Sequence, residues 1–393
     1  MITTVPSKCS IQRSTIYIKV DLLTIWHLRP FSPWDLPIAY VVRTTGYAPH
    51  SKPVRNRTTF MMVFDPTSPF CAYCYLQHED GRKLMKCGKC HARRYCSRDC
   101  QAQDWRHNSH RLFCGRTGEI GVDYEIKHAT TGKKGLGVFA LRNIVRNETI
   151  LIERSVAENS TPECLPKETS VRAAVLALTP NNTDHNGSGV LDARSFRSKF
   201  QRNNIGQLHL TFSRVNHDCI GNSYHAFDEE RGVILLVAST TIVVGDEITY
   251  SYTFQTPHNE AVRKHTRYWD FTCTCRACRS PAVARQLDLM LEYDQQIMVS
   301  GRDVQECIAI ATGKLLPLYN ELECSSYFHS RLYTDLFQFS IARRATYAQA
   351  MHYVQLAYTQ SLEFFGYEAP LTKKKHHQVL HPEDSPNYMG LEY

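Results

Sequence analysis

Fifteen cysteines stand in this chain of 393 residues, and they are bunched. Seven fall between Cys71 and Cys114, reading Cys71-x2-Cys74, Cys87-x2-Cys90, Cys96-x3-Cys100 and then His110-x3-Cys114. A Cys-x2-Cys knuckle sets two thiolates on one side of a tight turn, which suits two corners of a tetrahedral zinc site. An x3 step puts two ligands about one turn apart on one helix face. Four such pairs supply eight ligands, enough for two closed structural sites. His107 is an alternative imidazole, but only His110 keeps the x3 step to Cys114. The odd cysteine number and the chain length argue against a disulfide framework. Lys8, Arg13, Lys19 and Asp21 interrupt the first thirty residues, so no secretory leader is expected there.

A second group of residues lies further on. Arg214-Val215-Asn216-His217-Asp218-Cys219-Ile220-Gly221-Asn222 is followed by Gly245-Asp246-Glu247-Ile248-Thr249-Tyr250-Ser251-Tyr252, and then by Cys273-x-Cys275-x2-Cys278. Ahead of them runs Gly132-Lys133-Lys134-Gly135-Leu136-Gly137-Val138-Phe139-Ala140, a glycine-rich turn entering a strand. No helix pattern comes after it, so a Rossmann reading fails. The last cysteine triplet is one ligand short of a closed tetrahedron.

The elements that must carry these residues can be read from pattern. Strand-like runs begin at Tyr124 and include 143–153 and 233–238, with a helix over 170–178 and a polar loop over 181–189. From Pro281 onward helices are expected at 283–298, 304–319 and 331–365, as a bundle without a 34-residue repeat. The stripe Tyr347, Tyr353, Tyr358 reads as core. The short basic run Lys373-Lys374-Lys375-His376-His377 reads most simply as a solvated end, with nuclear import a secondary reading. Residues 1–70 hold scattered prolines and aromatics (Trp26, Trp34, Tyr40) without a period, and form an extension of uncertain order. Apolar residues make up 42% and charged residues 21%, the balance of an ordinary globular chain. No apolar run reaches the ~18 residues of a membrane span. The formal charge of +8 is modest. Residues 71–114 hold a surplus of five basic side chains, which two zinc ions and seven thiolates reduce to about +2. That small field favours peptide recognition over direct DNA binding.

The first cysteine bunch, with Arg94-Tyr95-Cys96-Ser97-x2-Cys100-Gln101-x2-Asp104-Trp105 and His110-x3-Cys114, resembles a MYND zinc finger over residues 71–114. The resemblance implies interleaved sites: Cys71, Cys74, Cys96 and Cys100 in one, and Cys87, Cys90, His110 and Cys114 in the other. The series of glycine turn, Asn-His-x-Cys, Gly-Asp-Glu-x4-Tyr and Cys-x-Cys-x2-Cys resembles a SET domain (122–254) with its post-SET zinc segment (255–279). Together they resemble the SET–MYND (SMYD-like) protein-lysine methyltransferases, with the finger ahead of the SET core rather than inside it. The implied fold class is α+β: a β-rich SET fold preceded by a two-zinc finger and followed by a helical region over 280–393.

The likeness implies an enzyme that transfers a methyl group from S-adenosylmethionine to a protein lysine, on a histone tail or another protein. Lys134, Leu136, Asn203, Asn216, His217 and Phe271 would contact the cofactor, and Tyr252 would be the active-site tyrosine. Cys219 would complete a third zinc site with Cys273, Cys275 and Cys278, making three zinc ions per chain. Two departures stand out: Gly221 replaces a proline, and Trp269 replaces the second channel tyrosine, beside Tyr268. They sustain an alternative, a MYND adaptor or transcriptional co-regulator that recruits Pro-rich partners on an inactive SET scaffold. The nucleus, the cytoplasm or both are the expected compartments. Cys9, Cys164, Cys307 and Cys324 remain as expected free thiols.

Overall fold

The computed structural model describes residues 64–77, 83–107, 110–116, 118–129, 135–178, 191–254, 256–298 and 303–389. Most of the 1–70 extension, Lys134 and the polar loop over 181–189 lie outside the described residues. The chain divides into two units, Pro66–Ser155 with Leu210–Tyr393, and a shorter one containing Val156–His209.

In chain order the finger holds β1 (Met85–Lys86), β2 (Arg94–Tyr95), α1 (Arg98–His107) and α2 (His110–Phe113). Strands β3 (Tyr124–His128), β4 (Leu136–Ala140) and β5 (Thr149–Arg154) come next. The shorter unit carries α3 (Thr169–Leu176) and α4 (Ala193–Asn203), whose Asp192 side chain caps the N–H of Ser195. Then come β6 (Asn216–His217), β7 (Ser223–Asp228), β8 (Val233–Ala238) and β9 (Glu247–Tyr250).

The larger unit's strands form two sheets beyond the β1–β2 pair. One has the order β3-β4-β9-β6, antiparallel except that β6 runs parallel to β9. The other has the order β5-β8-β7 and is antiparallel. Strand β8 lies between two partners and is buried along its whole length, which explains its unbroken apolar run Val-Ile-Leu-Leu-Val-Ala. The strand expected over 143–153 is shorter. Only Thr149–Arg154 is extended, because the chain turns at Asn147 with φ +66° before β5 begins.

The helices after the sheets are α5 (His258–Lys264), α6 (Arg276–Arg279), α7 (Pro281–Ile297), α8 (Val304–Ile310), α9 (Leu316–Glu321), α10 (Ser326–Ile341), α11 (Tyr347–Phe365) and α12 (Pro370–Leu380). The helix expected over 331–365 is two helices. The break contains neither glycine nor proline; the Thr346 hydroxyl closes it by donating to the Ser340 carbonyl. The core face of α11 is Ala350, Val354, Ala357, Ser361 and Phe364, so the Tyr347, Tyr353, Tyr358 stripe is half-buried rather than core. The basic run 373–377 is no loose end but the middle of α12. Among the described residues, no helix is long and apolar enough to cross a membrane.

Candidate active site and metal centres

The finger gathers its ligands in two interleaved sets. Cys71, Cys74, Cys96 and Cys100 lie with their sulfurs within 4.8 Å of one another, and so do the ligand atoms of Cys87, Cys90, His110 and Cys114. The knuckles are built alike. The N–H of Tyr75 donates to Cys71 O and that of His91 to Cys87 O, both at 2.9 Å, and both residues are left-handed, with φ +59° and +57°. Ser97 accepts the N–H of Cys100 at 3.1 Å and so starts α1 with a ligand facing inward. His110 is buried, and burial pushes its imidazole down to about 4, so it is neutral as a metal ligand must be. His107 ends α1 exposed and belongs to neither set. Thiols this close resist ionising together, and in the second set, of three thiols and one imidazole, Cys114 is pushed up to about 12 by burial and by Cys87. A divalent cation at the centre of each set would be the counter-charge that lets them ionise.

A third set forms from Cys219, Cys273, Cys275 and Cys278, again within 4.8 Å. Cys219 comes from the turn after β6, and its sulfur lies 3.6 Å from that of Cys278. Three imidazoles border this set, and His265 is one of them, with a ring nitrogen within 4.8 Å of Cys219 Sγ. His258 Nε2 is 3.4 Å from Cys278 Sγ, and His217 Nε2 is 3.3 Å from Cys219 Sγ. The backbone N–H of Tyr252 donates to His217 Nδ1 at 3.1 Å. A neutral His217 therefore carries its proton on Nε2 and donates it toward the Cys219 sulfur. One buried ring thus links the third cysteine set to Tyr252.

Tyr252 is held at both ends. Its Oη donates to the Val215 carbonyl at 2.9 Å, while burial raises its phenol well above the ordinary value. The proton stays on oxygen, and the lone pairs are left to accept from a bound group. Around the ring stand Tyr250 with centroids 4.9 Å apart, Trp269 at 5.2 Å, His217 at 5.1 Å and Phe271 at 6.4 Å. Phe212 lies 4.9 Å from Tyr250, and His265 stacks on Phe271 at 5.2 Å and 11°. Trp269 reaches this wall through a five-residue π-turn, His265–Trp269, after which Asp270 reverses the chain at φ +57°. Aromatic faces are electron-rich, so the wall suits a cationic group such as a sulfonium.

The other residues expected at the site fare differently. The Asn216 amide donates to Leu136 O at 3.1 Å and to Glu247 Oε1 at 2.6 Å, so its N–H groups tie β4 to β9. A Cβ at Gly137 would sit 2.5 Å from Glu247 Oε1 and 2.9 Å from Asn216 Nδ2, so any larger residue there has to displace this bonded pair. Both nitrogens of His217 face protein partners, Cys219 Sγ and the Tyr252 N–H, which makes its side chain a support for Tyr252. Asn203 ends α4 in the shorter unit, with its amide donating to Lys199 O. Lys134 lies outside the described residues.

Gly221 has a local reason. Its φ is +60°, which proline cannot adopt, and a Cβ would stand 2.8 Å from Tyr250 Cα. Asp218 Oδ1 accepts the Ile220 and Gly221 N–H groups, and Asn222 clamps β9 through Glu247 O and Thr249 N. Sequence reasoning missed Phe212, Tyr250, His258 and His265. His258 and His265 carried no spacing signal, whereas Tyr250 stood within the motif ending at Tyr252.

A family model described as a MYND finger matches residues 71–114, and one described as a SET domain matches residues 135–253. A SET and MYND domain-containing protein of Dictyostelium discoideum is 22% identical over 259 residues, 56% of this chain and 74% of that protein. The solved SET domain of LSMT bound to lysine and AdoHcy aligns over 68% of this chain and 90% of that one, with 10% identity and a TM-score of 0.25. Rubisco LSMT bound to sinefungin and monomethyllysine aligns over the same shares with 12% identity and a TM-score of 0.24. A MYND finger model and a SET domain model thus each match their own residues, with the finger first, and the relative from Dictyostelium discoideum is named for the same two domains.

Proposed function

We propose that this chain is a protein-lysine N-methyltransferase that uses S-adenosylmethionine and holds three zinc ions, one in each four-residue set. The observation that carries the reading is the double anchoring of Tyr252, by Val215 O and by His217, inside the wall of Tyr250, Trp269 and Phe271. S-adenosylmethionine supplies an electrophilic methyl group on a cationic sulfur.

An acceptor lysine must arrive with a free lone pair. Its ordinary pKa near 10.4 makes deprotonation at pH 7 cost roughly 4–5 kcal/mol. An aromatic passage disfavours the ammonium form and lowers that cost. With its own proton committed to Val215 O, the Tyr252 oxygen accepts from the incoming amine and aims the lone pair along the line of transfer. It is an orienting group and not a base. Trp269 closes the passage without offering a hydroxyl, so fewer polar contacts fix the amine on that side. The Gly221 departure is accounted for by its own backbone, which removes one reason for reading the SET fold as an inert scaffold.

The substrate is a lysine on a histone tail or another protein, in nucleus or cytoplasm, with the finger as a peptide-recognition module. Calorimetry with S-adenosylmethionine, followed by transfer of a tritium-labelled methyl group into cell extract and mass spectrometry of the labelled species, tests the reading. Micromolar affinity and a labelled lysine are expected. Absence of cofactor affinity overturns it in favour of the adaptor.

A further inference from the structure

Between the finger and the turn before β6 runs a line of buried polar contacts that neither module's chemistry uses. Tyr75 comes directly after the ligand Cys74 and is held left-handed by the first knuckle. Its Oη donates to Glu153 Oε1 at 3.4 Å. Glu153, near the end of β5, is buried and accepts three successive backbone N–H groups: Leu210 at 3.1 Å, Thr211 at 3.0 Å and Phe212 at 2.8 Å. Four donors converge on one carboxylate. Burial pushes its carboxyl above the usual value, against the pull of those N–H groups and of Arg93.

The segment so capped leads straight into the site. Phe212 packs on Tyr250, and three residues later Val215 O receives the Tyr252 phenol. A second tie runs alongside. Arg93, one residue before β2, pairs with the fully buried Asp104 at 2.9 Å and with Glu119, beyond the finger, at 3.8 Å. Asp104 also accepts from Tyr95 Oη at 2.7 Å, beside the ligand Cys96. The finger's metal-dependent turns are thereby part of the wall that fixes residues 210–212.

We propose that Glu153 is a positioning residue that transmits the state of the first cysteine set, through Tyr75, to the turn holding Tyr252, so that the finger's metal tunes methyl transfer. The link to methyl transfer rests on the enzyme reading above; the mechanical link does not. Amide hydrogen exchange of the full chain reads it directly. Glu153→Gln is expected to speed exchange at Leu210, Thr211 and Phe212 about tenfold, the loss of one charged acceptor. Tyr75→Phe, which deletes a single hydroxyl, is expected to speed the same three amides severalfold. It should lower kcat with KM for S-adenosylmethionine unchanged. Emptying the first set by Cys100→Ser should reproduce the exchange change while α10 and α11 keep their protection. Wild-type exchange at 210–212 in Tyr75→Phe overturns the proposal, whether or not Cys100→Ser folds. An exchange change in a chain that transfers no methyl group sinks the enzyme reading and the tuning, and leaves only the mechanical link.

Discussion

The finger and the region around Tyr252 both close on sets of four thiol or imidazole groups, yet they are wrapped in opposite materials. The finger sets are bordered by a buried ion network, Arg93 with Asp104 and Glu119, and by the phenols of Tyr75 and Tyr95. The third set is bordered by rings: His217, His258 and Phe271. Charge around a metal set couples it to distant backbone through long-range attraction. Rings confine its influence to whatever touches them, here Tyr252. One kind of set holds a module against its neighbour; the other braces the rings around Tyr252.

That contrast can be broken first at its strongest point. Cys275→Ser is expected to remove one of three metal equivalents by native mass spectrometry and to abolish cofactor binding, while the finger sets stay filled. Loss of all three metals together would erase the distinction. Next, Tyr252→Phe should lower methyl transfer at least about 10²-fold with cofactor affinity nearly unchanged, because only orientation is lost. Full activity in that variant would remove the anchored phenol from the mechanism. Gly221→Ala should cost roughly 1–3 kcal/mol in denaturant unfolding, since a Cβ there is both left-handed and 2.8 Å from backbone.

The smallest effect belongs to the finger side. Burial pushes Glu119 up to about 7, against the pull of Arg93. A raised carboxyl contributes stability that is full below its unfolded value near 4.5 and is lost as pH rises through 7. Glu119→Gln should therefore flatten the fall in melting temperature between pH 5 and 8, by the equivalent of roughly 1–2 kcal/mol. An unchanged pH profile would show that Glu119 is solvated rather than part of the buried network.

Legibility from sequence divides along the same line. The finger ligands were legible because each pair is local, two or three residues apart, and tetrahedral chemistry demands the spacing. Tyr252 and the cysteine triplet were legible as pieces of ordered motifs. The wall around Tyr252 was only partly so. Phe212 and His265 meet there through β6 lying parallel to β9 and through a π-turn, and neither leaves a periodic trace. Glu153 looked like the polar end of a strand; its role depends on three amides nearly sixty residues away. The break between α10 and α11 was invisible because a threonine hydroxyl, and not a glycine or proline, makes it.

The wide turn at His265–Trp269 has an evolutionary corollary. Such turns arise when one residue is inserted into a helix, and each added residue rotates the downstream chain by about 100°. Choosing between Tyr268 and Trp269 as the ring opposite Tyr252 is then a matter of helix register. A lineage could regain a hydroxyl at that wall by inserting a single codon upstream, which carries Tyr268 to the place Trp269 holds, with no aromatic substitution at all.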